Sequence, residues 1–261
     1  KPQVVGSNPT TATISVESSM SELPEGIDAA ILPVVEILHR EGFVTTDSGD
    51  GSAEKARAPG LFVTFEGIDG SGKSTQARLL ADHLTAQGHD VVLTREPGGS
   101  AGAEEIRQLV LTGEPDRWSA ETEILLFTAA RRDHLEKTIE PALAAGRTVI
   151  SDRFADSTRV YQGATRGDLR HMVDQLHTLM IGREPDLTFV IDMDPATALE
   201  RGLARKSGED RFEDFGLPFQ ETLRHGFLAL ANAHQRCVLI NGNRDIDDVA
   251  ADVAAQYAAY A

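Results

Sequence analysis

The segment Gly67–Ser74 (GIDGSGKS) constrains the possible folds of this chain more than any other part of the sequence. It fits the pattern G-x-x-x-x-G-K-[ST], follows the strand-like run Leu61–Glu66 and opens a helix-like run that extends to about Gln87. In this context the glycines let the backbone close around an anion, and the loop N–H groups and the helix N-terminus point at phosphates. The sequence therefore predicts a site for a nucleoside triphosphate.

The side chains of this loop predict how the triphosphate is held. We expect Lys73 to bridge the β- and γ-phosphates and the Ser74 hydroxyl to bind Mg²⁺. The predicted triphosphate-binding residues are Gly67, Ile68, Asp69, Gly70, Ser71, Gly72, Lys73, Ser74 and Thr75. The motif by itself does not indicate what the protein does with the nucleotide.

Strand-like and helix-like segments alternate through the rest of the chain. The further strand-like segments are short and apolar on both faces: Asp90–Thr94, Arg147–Asp152, Leu187–Asp192 and Cys237–Ile240. The helix-like segments are Ala103–Leu111, Glu121–Ala145, Leu169–Ile181, Ala196–Arg205, Leu217–Ala233 and Ile246–Tyr260. The alternation predicts a three-layer α/β fold with a five-stranded parallel sheet flanked by helices. Together with the motif at Gly67–Ser74, it predicts a P-loop NTPase fold.

Residues 1–59 differ in composition from the rest of the chain. Residues 1–20 are rich in Ser, Thr and Val, which favours a tag-like or disordered segment, and we interpret 1–19 as a tag, a cloning remnant or a mis-assigned start. Apolar residues at helical spacing predict a short helix over about 28–40, and 46–59 has the composition of a linker. We therefore predict an N-terminal extension over 1–59 and one domain over 60–261.

Charge and cysteine content exclude several classes of function. Lys and Arg total 25 against 41 Asp and Glu, a net charge of −16, which disfavours broad binding to nucleic acid. The single cysteine, Cys237, excludes an intramolecular disulfide and a Cys-based zinc site and fits a reducing cytosol. No apolar run is long enough to span a bilayer, and no secretory signal pattern opens the sequence. We expect a cytoplasmic protein without nucleic acid or membrane partners.

A set of arginines predicts phosphorylated ligands. The arginines follow strand-like segments or lie on neighbouring helices, and ligands of parallel sheets bind beyond the carboxyl ends of the strands. The set comprises Arg95, Arg107, Arg131, Arg153, Arg201, Arg205 and Arg211. A GTPase would need an N-K-x-D segment, which the nearest string, Asn241–Asp245 (NGNRD), does not fit. The pattern favours a small kinase with two phosphorylated substrates.

The segment Ile150–Gln162 (ISDRFADSTRVYQ) resembles the signature of the thymidylate kinase family. Four other segments match that family in its order and spacing: Glu66–Thr75, Thr94–Gly99, Leu125–Arg131 and Asp210–Glu213. The resemblance covers the chain from about Gly60 to its C-terminus. It implies transfer of the γ-phosphoryl group of ATP to thymidine 5′-monophosphate (dTMP), giving dTDP and ADP in dTTP synthesis, with Mg²⁺ and in a homodimer.

Two rival functions stay open at this point. One is another nucleoside or nucleoside-monophosphate kinase with a different choice of base. The other is a P-loop module that binds ATP without turnover.

The resemblance also implies how the acceptor nucleotide is bound. Arg153 and Arg95 would hold its phosphate, with Arg107 in the same pocket. Phe127 would stack on the thymine ring and Arg131 would reach its carbonyl edge, although from its helix alone Phe127 reads as a core residue. The implied dTMP-binding residues are Arg95, Arg107, Phe127, Arg131, Arg153, Ser157, Thr158, Tyr161 and Gln162.

Catalytic and metal-binding residues are implied in the same way. Phosphoryl transfer is mostly positioning and charge neutralisation, and the implied catalytic residues are Lys73, Arg153, Arg205 and Asp69. Mg²⁺ would be bound by Ser74, Asp69 and Asp152. Asp152 would lie near the metal or orient Arg153, and no general base is needed because the acceptor phosphate is already ionised.

The charged run Arg201–Glu213 would be a mobile lid that closes over ATP. Some relatives carry a catalytic arginine in the phosphate loop, where this chain has Gly70 and Ser71. We therefore expect the lid to supply it, from Arg205 first and Arg201 second. Arg211 and Glu213 would either anchor the lid or approach the substrate and Mg²⁺. Five histidines on helix-like segments lack ligand spacing and are expected to be surface or satisfied polar residues: His83, His134, His171, His177 and His225.

Overall fold

The computed structural model describes residues 60–114, 117–163, 169–204 and 216–261. The predicted extension over 1–59, with its helix and linker, lies outside the described residues, as do Arg205, Arg211 and Glu213 of the predicted lid. Within the described ranges, no helix combines the length and the apolar character that crossing a bilayer requires.

Five parallel strands form one sheet in the order β2-β3-β1-β4-β5. The strands are β1 (Phe62–Glu66), β2 (Val91–Arg95), β3 (Thr148–Asp152), β4 (Leu187–Asp192) and β5 (Cys237–Asn241). Each strand agrees with a predicted segment to within one residue at either end, and the predicted five-stranded α/β fold is confirmed. β1, which leads into the phosphate loop, is the central strand between β3 and β4.

Helices flank the sheet; they lie between successive strands along the chain, and one more follows the last strand. Those that the structure describes are α1 (Lys73–Ala86), α2 (Ala101–Leu111), α3 (Ala120–His134), α4 (Glu140–Ala144), α5 (Ala155–Tyr161), α6 (Arg170–Leu176), α7 (Pro195–Ala204), α8 (Gly216–Ala233) and α9 (Ile246–Tyr260). Short π-helical stretches at Leu135–Ile139 and His177–Ile181 continue α3 and α6. The sequence did not predict α5, because seven residues are too few to show a helical period.

Apolar side chains pack on both faces of the sheet. Neighbouring residues of a strand point to opposite faces, so Phe189 and Val190 of β4 belong to different parts of the core. Phe189 packs with Phe65 of β1, their ring centroids 5.2 Å apart, on the face covered by α1 and α9. Val190 packs with Phe227 of α8 on the other face. This burial explains why the strands are apolar on both sides.

The carboxyl ends of the strands meet at one edge of the sheet. β1 ends at Glu66, β2 at Arg95 and β3 at Asp152. The parallel register pairs Arg95 with Asp152 and Asp152 with Phe65, so these ends are adjacent. Side chains that are distant in sequence therefore converge where the phosphate loop leaves β1.

Candidate active site

The phosphate loop runs from β1 into α1 in a conformation that needs glycine. Gly70 has φ 81°, and an added Cβ would lie 1.9 Å from the Ala198 carbonyl oxygen of α7. Gly67 has φ 136°, and its Cβ would lie 2.6 Å from the Ile191 oxygen. Any larger residue would therefore be both strained and obstructed at these positions.

Lys73 is held inside the loop as a nearly buried cation. Its Nζ donates to the Ile68 carbonyl oxygen at 2.7 Å, and the residue is 5% exposed. Burial, together with the charge of Arg153, lowers the pKa of Lys73 to about 8, while Asp69 acts in the opposite direction. A phosphate beside Lys73 would favour its charged form, because the anion compensates the lost hydration.

A cavity of about 400 Å³ opens at the carboxyl ends of β1, β2 and β3. Its lining includes most of the predicted site residues: Asp69, Lys73, Ser74, Arg95, Arg107, Phe127, Arg131, Asp152, Arg153, Ser157, Thr158, Tyr161 and Gln162. We call it the main cavity. Its volume lies in the usual range for a small-molecule site.

Arg153 connects the phosphate loop to α5. Its Nη2 donates to Asp69 and, at 3.2 Å, to the Tyr161 hydroxyl, and its Nη1 donates to Ser157 Oγ at 2.8 Å. Its backbone has φ 74°, which is unusual for a residue other than glycine, and the Ser151 hydroxyl donates to its carbonyl oxygen at 2.8 Å. The surrounding bonds thus hold the guanidinium in one place at the mouth of the loop.

Asp69 pairs with this arginine. The Tyr161 hydroxyl donates to Asp69 Oδ2 at 2.6 Å, and Arg153 donates to Oδ1. Burial opposes ionisation, but the charges of Arg153 and Lys73 outweigh it and lower the pKa of Asp69 to about 2. Asp69 therefore remains an anion inside a phosphate-binding loop, and the positive charge of Arg153 balances its negative charge.

Glu66, the last residue of β1, is completely buried beneath Arg153. It accepts hydrogen bonds from the Phe154 backbone N–H at 2.7 Å and from the Ser157 hydroxyl at 2.6 Å. Burial raises the pKa of Glu66 to about 7, and the nearby Asp156 carboxylate adds to this effect. Glu66 thus ties β1 to the start of α5.

Ser74 and Asp152 lie together beside the loop. The Ser74 hydroxyl donates to Asp152 Oδ2, while Asp152 Oδ1 is buried and has no hydrogen-bond partner. An unpartnered carboxylate oxygen next to a hydroxyl fits a hard cation such as Mg²⁺. In the described part of the chain no group of three or more acidic, His or Cys side chains could hold a metal, so phosphate and water would supply further ligands.

Arg131 lines the main cavity and lies among polar groups. Its Nε donates to Glu96 Oε2 at 2.7 Å, and its Nη2 donates to the Phe154 carbonyl oxygen and to Thr158 Oγ1. The predicted base-binding residue Thr158 is thus bonded to the predicted base-reading arginine. Gln162 Nε2, which belongs to the predicted dTMP-binding residues, donates to the buried Glu123 carboxylate at 3.3 Å.

Arg95 and Arg107 lie at the rim of the main cavity. Arg95 donates to both carboxylate oxygens of Glu104 at 3.2 Å, and about half of its side chain is exposed. Arg107 donates to the Pro97 carbonyl oxygen at 2.6 Å. Both residues therefore line the same cavity as Arg153, the other arginine predicted to bind the acceptor phosphate. Each of them is hydrogen-bonded to a protein group.

Arg201 lines a different cavity. Its Nη1 donates to Met193 Sδ at 3.4 Å, and the second cavity, of about 520 Å³, is also lined by Thr197, Asn243 and Arg244. The structure therefore does not bring Arg201 to the main cavity. The preferred lid residue Arg205, with Arg211 and Glu213, lies outside the described residues.

Several lining residues were missed by the sequence analysis. Glu96, Pro97, Leu111 and Phe154 line the main cavity although no role was assigned to them. Glu96 and Pro97 could have been found from the sequence, because they lie in Thr94–Gly99, one of the segments that match the family. His134, expected to be a surface or satisfied polar residue, is a satisfied one: it is completely buried, with Glu96 and Thr94 as its hydrogen-bond partners.

Comparison with known proteins points to one family. The family profile described as "Thymidylate kinase" matches residues 65–253. A thymidylate kinase of Dinoroseobacter shibae is 74% identical over 198 residues, which is 76% of this chain and 96% of the relative. A thymidylate kinase of Caulobacter vibrioides is 50% identical over 197 residues, 75% of this chain and 94% of that protein.

A solved structure agrees with these sequence matches. The crystal structure of thymidylate kinase from Ehrlichia chaffeensis superposes with a TM-score of 0.63 at 37% identity. The superposition covers 76% of this chain and the whole chain of that structure.

Glu66→Gln is expected to change how stability depends on pH. Glu66 has a folded pKa of about 7 against 4.5 for the unfolded chain, so the folded state binds the extra proton between these values. The wild-type free energy of unfolding should therefore fall, relative to the variant, by on the order of 3 kcal/mol from pH 5 to pH 8. Chemical denaturation at each pH measures the free energy of unfolding, and Glu121→Gln, at an exposed residue, is the control that should behave as the wild type. If the free energies of wild type and Glu66→Gln changed with pH in parallel, the raised pKa of Glu66 would be contradicted.

Proposed function

Because this chain belongs to the thymidylate kinase family, we propose that it transfers the γ-phosphoryl group of ATP to dTMP. The products are dTDP, on the route to dTTP, and ADP. The observation that carries the proposal is one cavity that is lined both by Lys73 of the phosphate loop and by Phe127 and Arg131 of α3. Such an arrangement suits a donor and an acceptor nucleotide that meet at their phosphates.

The triphosphate of ATP would lie along the phosphate loop. Lys73 would face the γ-phosphoryl group that is transferred. The free-energy cost of burying its charge would be offset when the anionic phosphates bind. The second cavity supports a site for the nucleoside part of ATP, because its residue Thr197 lies on α7, the helix that packs on Gly70. We assign Arg201 to this part of ATP rather than to the acceptor.

The phosphate of dTMP would bind Arg153 and Arg95, with Arg107 beside them. Arg153 already stands between the loop and α5, within hydrogen-bond distance of Ser157 and Tyr161. Arginines present planar pairs of N–H donors that match phosphate oxygens. These residues would neutralise the charge of the acceptor phosphate and place its oxygen in line with the γ-phosphorus. No general base is required, since that oxygen is already ionised.

The thymine ring would lie against Phe127, with Arg131 at its carbonyl edge. Phe127 and Arg131 are four residues apart on α3 and therefore share one face of the helix. Tyr161, which is 7% exposed and lines the cavity, would pack against the deoxyribose. A tyrosine there leaves little room for a 2′-hydroxyl and would favour deoxynucleotides.

Mg²⁺ fits the residues around the loop. Ser74 and Asp152 would hold it, and Asp69 would lie close to its water ligands or to the sugar hydroxyl. The ion supplies neutralisation of charge on the β- and γ-phosphate oxygens. The unpartnered oxygen of Asp152 supports this placement.

A catalytic arginine would come from Arg205, in the predicted lid. The phosphate loop of this chain has Gly70 and Ser71 and so offers no arginine of its own. The side chain of Arg201 bonds to Met193 in the second cavity, which supports Arg205 as the candidate. Arg211 and Glu213 remain proposed anchors of the lid.

A homodimer is also proposed. Exposed apolar side chains lie on α2, on α3 and on α6 with its π-helical continuation: Leu109, Leu125, Met172, Leu179 and Met180. Arg132 of α3 donates to the Met180 carbonyl oxygen at 2.9 Å, which places these two elements side by side. Apolar groups exposed on adjacent helices favour pairing with a second copy of the chain.

The proposed location is the cytoplasm. ATP and dTMP are metabolites of that compartment, and the one cysteine, Cys237, requires no oxidising environment.

The function is tested by ADP release with dTMP, dCMP, UMP and GMP as acceptors. We expect dTMP to be the best acceptor and EDTA to abolish turnover until Mg²⁺ is restored.

Lys73→Ala should lower kcat at least about 100-fold, because the cation facing the transferring phosphate is lost, whereas Lys137→Ala, at an exposed residue, should not. Equal or better turnover with UMP, dCMP or GMP would refute the assignment to dTMP, and ATP binding without turnover would favour a non-catalytic module.

Arg205→Ala and Arg201→Ala test the source of the catalytic arginine. Arg205→Ala should lower kcat about 100-fold or more while the KM for ATP changes little, because its charge acts in the transition state. Arg201→Ala should mainly raise the KM for ATP. Steady-state kinetics with varied ATP separates the two effects, and the reverse pattern would transfer the catalytic role to Arg201.

Leu179→Glu tests the dimer. Leu179 is 79% exposed, and a charge there should prevent the apolar helices of two copies from packing together. We expect sedimentation velocity to show a dimer for the wild type and a monomer for the variant. Leu239→Glu, at an exposed leucine of the edge strand β5, is the matched control and should remain dimeric; a monomeric wild type would refute the proposal.

A further inference from the structure

A buried chain of hydrogen bonds lies behind Arg131. His134 of α3 is completely buried, and its Nδ1 lies 3.1 Å from Glu96 Oε1. Its Nε2 lies 2.7 Å from the Thr94 hydroxyl at the end of β2. Glu96 uses its other oxygen, Oε2, to accept from Arg131 Nε at 2.7 Å. The chain therefore runs from Thr94 through His134 and Glu96 to Arg131.

The chemistry of the groups sets the direction of each bond. The Glu96 carboxylate pairs with a guanidinium, so both of its oxygens act as acceptors. The Nδ1 of His134 must then carry a hydrogen and donate it to Glu96. In the neutral imidazole the Nε2 is left as an acceptor, and the Thr94 hydroxyl donates to it. The carboxylate thus fixes Nδ1 of His134 as the donor to Glu96.

The backbone at Gly99 encloses this chain. A Cβ at Gly99 would lie 2.3 Å from His134 Nε2 and 2.4 Å from Thr94 Oγ1, and φ is 86° there. The Thr138 hydroxyl donates to the Gly99 carbonyl oxygen at 2.7 Å and holds this backbone in place. The Gly99 backbone therefore packs directly against the Nε2 edge of the buried His134 ring.

These contacts fix the orientation of the Arg131 guanidinium. Its Nε bonds to Glu96, its Nη2 bonds to the Phe154 carbonyl oxygen and to Thr158, and it lies 5.2 Å from the centre of the Phe154 ring. The remaining nitrogen, Nη1, has no hydrogen-bond partner among the residues that the structure describes, and Arg131 lines the main cavity. One edge of the guanidinium is thus held by protein, and the other is available to a ligand.

We propose that Thr94 and His134 are positioning residues which hold Glu96, and through it Arg131, so that the cavity selects a pyrimidine with a carbonyl at position 4. This inference rests on the proposed function, in which Arg131 faces the carbonyl edge of thymine. An arginine has only N–H donors, so it bonds to a carbonyl oxygen and opposes an amino group. A fixed arginine enforces this choice, whereas a loosened one can turn away from the amino group.

The test compares dTMP with 5-methyl-dCMP, which carries an amino group at position 4 and the same methyl group. We expect Thr94→Val, which replaces the hydroxyl bonded to His134 with a methyl group, to lower the ratio of kcat/KM for dTMP over 5-methyl-dCMP about tenfold. The effect should appear mainly in the KM for dTMP, with the KM for ATP unchanged. Thr94→Ser keeps the hydroxyl and should preserve the ratio. His134→Leu, which also removes the bond to Glu96, should lower it further.

Thr188→Val is the matched control. Thr188 is a buried threonine of β4 whose hydroxyl bonds to Thr64 and to Arg236, outside the lining of the main cavity. This variant should keep the wild-type ratio whatever its effect on the melting temperature. A wild-type ratio in both Thr94→Val and His134→Leu, or an equal loss of ATP and dTMP binding, would overturn the inference. A wild-type protein that does not phosphorylate dTMP would instead refute the proposed function itself, and the inference with it.

Discussion

The ion pair between Arg153 and Asp69 is the interaction on which the rest of the candidate site depends. It joins the phosphate loop to α5, and the same guanidinium donates to Ser157. Arg153 adopts φ 74°, a conformation that costs a residue other than glycine on the order of 1–3 kcal/mol. Glu66 helps to hold this conformation, because it accepts hydrogen bonds from the Ser157 hydroxyl and from the backbone N–H of Phe154, the residue after Arg153. The central strand thereby sets where the arginine stands.

Charge pairing explains how a chain with a net charge of −16 maintains a cationic cavity. Arg153 is balanced by Asp69, and Arg131 is balanced by Glu96. A buried charge without a partner would be expensive, whereas a paired and hydrogen-bonded one is tolerated. Lys73 has a lowered pKa among these groups, and the phosphates of two nucleotides would supply the negative charge that the pocket lacks. The site is therefore organised before any substrate arrives.

Local features were predictable because they are encoded over a few neighbouring residues. The phosphate loop needs glycines at fixed spacing, and each buried strand is a short apolar run, so Gly67–Ser74 and the five strands could be recognised directly. The seven-residue α5 was missed because it is too short to show a period. The part played by His134 was missed because its partner Thr94 is 40 residues away in the sequence. The ligand-binding roles assigned to the cavity residues stay predictions.

By itself the sequence determined the loop, the alternation of strands and helices, and the family to which they belong. Only the tertiary structure decided which arginines share a cavity: Arg131 and Arg153 line the main one, while Arg201 lines another. It also decided that Glu96 pairs with Arg131 and His134 rather than facing solvent. The physical reason is that glycine spacing and apolar runs act along the chain, whereas buried polar groups must take whichever partners packing brings within hydrogen-bond distance.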